Sequence, residues 1–190
     1  MNTREIEAEF RIVLPQALSK CWTEALSGGA NSLRLLMGPR GIADLTGIAD
    51  FVEREQRDLG ALRSQAQPFS VLPFAEGDGD SDYVVLLLGE TDGVGEFRVR
   101  EFLHDCDGAG QMFPSFAEWA REVGPIRNCR AILERAARED LAAYEALRDR
   151  ADESFDEWCR EVLRAHNALP DADSILREVM EHFWEHGNPY

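Results

Sequence analysis

The sequence predicts an α+β fold: a twisted, mostly antiparallel sheet with surrounding helices, plus an all-helical C-terminal extension. Three observations carry that prediction. Apolar residues in the first sixty positions recur at helical spacing. In the middle the period changes. Tyr83-Val84-Val85-Leu86-Leu87-Leu88 is a continuous apolar run, and Glu96-Phe97-Arg98-Val99-Arg100-Glu101-Phe102-Leu103 alternates polar and apolar. Beyond Gly124-Pro125 the pattern is almost wholly helical. The expected division is therefore an α+β domain over 1–125 and a helical extension over 126–190 packed on it.

The elements follow in order. Ile6, Phe10 and Val13 mark a first helix over 5–12. Leu14-Pro15 breaks it, and Pro15 suits the first position of a second helix, where its missing N–H costs nothing. Ala17, Leu18, Cys21, Trp22 and Ala25 give that helix an apolar stripe, and Ser27-Gly28-Gly29 stops it. The short apolar run 33–37 reads as a strand. Asp44 or Thr46 could cap a third helix over 48–62, with Ile48, Phe51, Val52, Glu55 and Leu59 on its faces. Residues 69–74 are apolar and run into an acidic glycine loop, Glu76-Gly77-Asp78-Gly79-Asp80-Ser81-Asp82. The runs 83–88 and 96–103, joined by a turn with Asp92-Gly93-Val94-Gly95, read as an antiparallel hairpin. The first run is expected at the centre of the sheet. Ser115-Phe116-Ala117-Glu118 is a capping box that opens a helix carrying Phe116, Trp119 and Val123. The extension reads as one helix over 126–151, another through about 166, a break at Asn167-Ala168-Leu169-Pro170, and a last helix from Asp171 to His186.

Composition excludes several function classes. The chain has 190 residues and a net charge of −16, with a pI near 4.6. Phosphate binding needs clustered cations, and the 19 arginines and the single lysine, Lys20, are scattered. No nucleic-acid partner and no membrane partner is expected, since an acidic surface is also repelled by anionic lipid. No basic n-region precedes an apolar run at the N-terminus, and no run is long enough to span a bilayer, so a cytoplasmic location is expected. The four cysteines, Cys21, Cys106, Cys129 and Cys159, form no CxxC pair and read as reduced, mostly buried thiols.

The acidity is unevenly placed. Between Glu76 and Asp107, ten acidic residues face two basic ones, which puts −8 in 32 residues, half the charge of the whole chain. An acidic concentration of that kind suits a basic partner. Four constellations invite chemistry, and each departs from what the chemistry needs. Asp78-Gly79-Asp80-Ser81-Asp82 begins like a calcium loop, but Tyr83 stands where the turn glycine belongs and Gly89 where the last carboxylate belongs. His182 and His186, with Glu178 and Glu185, have chelating spacing but not the order of the metalloprotease helix; a surface pair near a helix C-terminus accounts for them. Cys106 beside His104 and Asp105 lacks spatial convergence, and Asp105 and Asp107 disfavour its thiolate. Gly93-Val94-Gly95 lacks the third glycine of a dinucleotide loop. The tryptophans, Trp22, Trp119, Trp158 and Trp184, all read as core residues of helices.

The order of motifs over the first 122 residues resembles the SUKH superfamily. The residues that carry it are a leading acidic helix with Ile6, Glu7 and Glu9; Leu14-Pro15 and a helix ending at Gly28-Gly29; then Leu72-Pro73-Phe74-Ala75, the acidic loop and the apolar strand. His104-Asp105 and Ser115-Phe116-Ala117-Glu118-Trp119 complete the series. That superfamily includes yeast cell-wall regulators and many bacterial immunity proteins. The resemblance implies a binding protein without catalytic residues that neutralises a toxin, often a nuclease. It also implies that Pro73-Phe74 ends a strand, that His104-Asp105 sits at a strand end, and that Phe116 and Trp119 pack back on the sheet. The helical extension has no counterpart in the minimal pattern.

The resulting expectation is a non-catalytic module that occludes a basic toxin domain. Its expected contact residues are Glu76, Asp78, Asp80, Asp82, Glu90, Asp92, Asp105 and Asp107. No cofactor and no metal is expected, and the protein is expected to be a monomer or a homodimer. The competing expectation is a scaffold or regulatory protein that holds a partner without inhibiting it; a metal-dependent enzyme is the remote alternative.

Overall fold

The computed structural model describes residues 3–26, 33–36, 41–77, 79, 81–91, 96–104, 110–148, 153–170 and 173–186. The chain divides into two compact units, Met1–Ala120 and Arg121–Tyr190. Among the described residues it has a four-stranded antiparallel sheet in the order β1-β2-β3-β4 and eight helices, an α+β fold with C-terminal helices.

The first unit opens with α1 (Thr3–Phe10) and α2 (Gln16–Leu26). Ile6 and Phe10, one turn apart, are the buried residues of α1. Its end is set by Arg11 at φ 51°, which lets Ile12 N–H reach back to the Glu7 carbonyl at 3.1 Å. The Glu7 carboxylate then accepts Leu14 N–H at 2.9 Å and steers the chain toward α2. Pro15 precedes α2 rather than opening it, and its carbonyl accepts the Ser19 N–H at 2.9 Å. Residues 33–36 form a single bridge instead of a strand. Leu35 pairs with Ala75, with Leu36 N–H donating to the Phe74 carbonyl and Glu76 N–H to the Arg34 carbonyl.

Helix α3 (Ile42–Glu55) starts six residues before its predicted position. Neither Asp44 nor Thr46 caps it. Gly41 is the N-cap, without a side-chain bond, and the Thr46 hydroxyl donates to the Ala43 carbonyl. Burial decides the earlier start. Leu45, Ala49 and Val52 are all fully buried at i, i+4 and i+7, so the apolar stripe begins before Ile48. Gln56 then separates α3 from α4 (Arg57–Gly60), where one helix is predicted.

The sheet comprises β1 (Val71–Glu76), β2 (Tyr83–Thr91), β3 (Phe97–Phe102) and β4 (Met112–Phe113). Val84 to Leu88 are buried without alternation, because both faces of β2 are covered. This central position is the one predicted. Pro73-Phe74 does not end β1. The pair sits mid-strand, where the register slips between Pro73 and Ala75, and a bulge accommodates a residue that lacks the N–H of a regular ladder. The 83–88 and 96–103 runs pair antiparallel as predicted. The two-residue β4 has no signal of its own in the sequence; it exists by pairing, Val99 with Phe113 and Arg100 with Met112.

Helix α5 (Phe116–Glu139) begins at the capping box, with the Ser115 hydroxyl accepting the Glu118 N–H at 3.2 Å. Phe116 and Trp119 meet Phe74 of β1 at centroid distances of 5.4 and 5.1 Å, so they do pack back on the sheet. The helix runs through Pro125, where a break is predicted. Further along, Asp140 divides the predicted 126–151 helix: its side chain accepts the Ala143 N–H at 3.2 Å and caps α6 (Leu141–Arg148).

The second unit adds α7 (Glu153–Ala165) and α8 (Asp173–His186). Its core comes from helical repeats: Cys129, Leu133 and Ala137; Phe155, Cys159 and Leu163; Leu176, Val179, Met180 and Phe183; with Tyr144 among them. α7 ends in a Schellman motif. Asn167 takes φ 51°, Ala168 N–H bonds the Leu163 carbonyl and Asn167 N–H the Arg164 carbonyl.

Candidate functional site

The acidic loop is held by one of its own carboxylates. Asp82 Oδ2 accepts the Gly79 N–H at 3.1 Å and Asp82 Oδ1 accepts the His104 N–H, 22 residues on, at 2.7 Å. The Asp82 backbone closes the same loop: its carbonyl accepts the Gly77 N–H and its own N–H donates to the Gly79 carbonyl. Gly77 is required there, because a Cβ would overlap Asp82 Cβ and lie 2.9 Å from its carbonyl carbon. Ser81 takes φ 65°, a conformation the surrounding bonds must hold. Asp82 is thus a structural clamp that ties the β1–β2 loop to the end of β3.

The other expected contact residues fall as follows. Glu76 ends β1 opposite Tyr83 and is half-buried. With Asp82 and His104 it marks one end of the sheet. Glu90 lies near the other end of β2, about 25 Å away at the rise of an extended strand. Asp78, Asp80, Asp92, Asp105 and Asp107 lie outside the described residues, as do Cys106 and the side chains of His182 and His186.

Beside the Glu76–Asp82 end is an open groove of about 430 Å³, lined by Ala43, Asp44, Gly47, Ile48 and Phe51 of α3 and by Tyr83 of β2. Phe51 organises it. Its ring meets Tyr83 edge-on at 6.4 Å, Phe102 at 5.9 Å and His104 at 5.5 Å. The two features are therefore contiguous. Tyr83 follows Asp82 in the chain, and His104 is held by the Asp82 carboxylate. The sequence marks Ile48 and Phe51 as face residues of a helix without showing what that face meets. Gly47, in the middle of the same helix, is the sequence signal that points to it.

A second side-chain network starts from the same helix. Glu53 of α3, 5% exposed, accepts the Ser70 N–H at 2.5 Å and pairs with Arg63. Arg63 also holds Asp50 at 2.6 Å and lies over the Phe69 ring at 5.5 Å. Sequence patterning hides Glu53, because an acidic residue on a helix normally faces water.

The described thiols are poorly suited to nucleophilic work. Burial pushes the Cys159 thiol up to about 12, with Asp156 adding to the rise. Cys21 and Cys129 are raised too, mainly by burial. Among the described residues no three His, Cys, Asp or Glu side chains are grouped to hold a metal ion. Trp22 and Trp119 are fully buried, while Trp158 and Trp184 are half-buried. Trp184 lines a second groove of about 350 Å³, within the C-terminal unit, together with Phe155 and Met180. None of the described helices is long and apolar enough to cross a membrane.

No family model, no curated protein and no solved structure matches the chain significantly.

Proposed function

We propose that the protein is a non-catalytic binding module, an immunity protein of the SUKH type that docks a basic toxin domain in the cytoplasm and blocks its site. The observation that carries this reading is the adjacency of an open aromatic groove to the acidic end of the sheet. Interfaces draw affinity from aromatic anchors in desolvated pockets and draw association rate from charge around them. Phe51 and Tyr83 supply the first kind of surface, and the acidic charge of the sequence run that begins at Glu76 and ends at Asp82 supplies the second.

The experiment is co-expression with the C-terminal domain of any large secreted protein whose gene adjoins the gene for this chain. Growth should be rescued for that domain and not for unrelated toxins. The double variant Asp78→Asn/Asp80→Asn should slow association on the order of tenfold at low salt and flatten its salt dependence. Asp82 is left intact, because neutralising it also releases the loop. Failure to rescue growth with any adjacent domain would sink the immunity reading. Unchanged affinity at both low and high salt would remove the loop from the interface.

A further inference from the structure

We propose that the groove along α3 is a socket for one arginine side chain of the partner. This rests on the reading that the protein binds a basic partner. Asp44, Gly47, Ile48 and Phe51 follow each other at i, i+3, i+4 and i+7, so they form one face of α3, and Tyr83 lines the same groove. Gly47 is the telling residue. After proline, glycine is the least favourable choice for a helix interior. A Cβ at Gly47 would meet nothing within 4 Å, so internal packing does not require a glycine. What glycine supplies is open backbone against which another group can lie closely.

The groove has a charge direction. At the Asp44 end the carboxylate is exposed, and no described residue pairs with it. At the Phe51 end a cation is already present, with the Arg54 guanidinium 5.4 Å from the ring centroid. Between them lie Gly47 and the half-buried side chain of Ile48. A long side chain with an apolar stem and a cationic head fits in one orientation, with its stem over Gly47 and Ile48 and its head at Asp44. The partial positive charge of the α3 N-terminus opposes a cation there, but a full carboxylate outweighs it. Arginine suits the site better than lysine, because its planar fork pairs two-pronged with a carboxylate and is less strongly hydrated.

The test uses acetyl-Gly-Arg-Gly-amide on the intact protein, read by amide chemical shifts in NMR, so it does not depend on finding the toxin. Saturable shifts at Gly47 and Ile48 are expected, with citrulline in place of arginine binding at least threefold more weakly. Asp44→Asn should weaken the arginine peptide about threefold to fivefold, the range of a partly exposed charge pair. Gly47→Leu fills the groove without a clash at Cβ and should abolish the shifts while leaving the circular dichroism spectrum unchanged. Equal binding of the citrulline or lysine peptide would overturn the proposal, as would undiminished arginine binding to Gly47→Leu. If toxin rescue fails while these shifts appear, the socket stands and the immunity reading falls. If rescue succeeds and is lost in Gly47→Leu without arginine-dependent shifts, the groove binds the partner through another group.

Discussion

Replacing Glu53 tests how the first unit joins its helix layer to its sheet. The carboxylate is 4% exposed at its side chain and serves two partners, the Ser70 N–H and Arg63. Glu53→Gln keeps an oxygen for Ser70 N–H and loses only the ion pair. Arg63 is 37% exposed and keeps Asp50, so it rehydrates, and the cost is about 1 kcal/mol. Glu53→Ala leaves the N–H of a fully buried residue without an acceptor, about 1–3 kcal/mol, and removes a buried methylene, about 0.8 kcal/mol. The ion pair is lost as well, so the sum is about 4 kcal/mol, and the Ala variant should exceed the Gln variant by about 3 kcal/mol. Ser70 also accepts the Leu88 N–H at 2.8 Å, so the loss is transmitted to β1 and β2. Amide hydrogen exchange of those strands is the assay, since it reads this unit alone and needs no assumption that both units unfold together. Exchange should accelerate roughly 1,000-fold in Glu53→Ala and about fivefold in Glu53→Gln. Equal effects of the two variants would mean that the ion pair, not the backbone bond, carries the stability, and the reasoning would fail.

Three further outcomes are expected. Gly47→Ala should stabilise α3 by about 1 kcal/mol, seen as slower exchange of its amides, because the added methyl gains helix propensity and meets no neighbour; destabilisation would show that the groove is filled in solution. Asp140→Ala should cost the C-terminal unit about 1 kcal/mol in urea denaturation by removing the α6 cap; an unchanged midpoint would deny the cap. Cys159 is raised from 9.0 to about 12 in the folded state, so the native protein holds the proton longer than the unfolded chain. Its contribution is fully present below pH 9 and lost as pH rises from 9 toward 12, by up to about 1.4 kcal/mol per pH unit. Comparing the alkaline stability of the protein with that of Cys159→Ala isolates that slope; parallel curves would show that the thiol is not desolvated.

The sequence by itself determined most of the element list. The central apolar strand, the alternating partner strand, the capping box at Ser115 and the break at Asn167 all appear in the structure. Each is a local signal, set by side-chain period or by a turn residue within a few positions. Asp140 was legible in principle, as a capping residue inside a helical run, but the apolar period continues past it and conceals the break. The tertiary structure alone decided three things. Burial of Leu45 moved the start of α3, pairing with Val99 and Arg100 created β4, and the bond from His104 to Asp82 made one acidic residue a clamp. The candidate site belongs to the same class. Asp44 and Phe51 are one helix face from sequence, but Tyr83 reaches that face only through the sheet. The physical reason is that propensity and patterning act along the chain, whereas a groove or a buried carboxylate is defined by groups tens of residues apart.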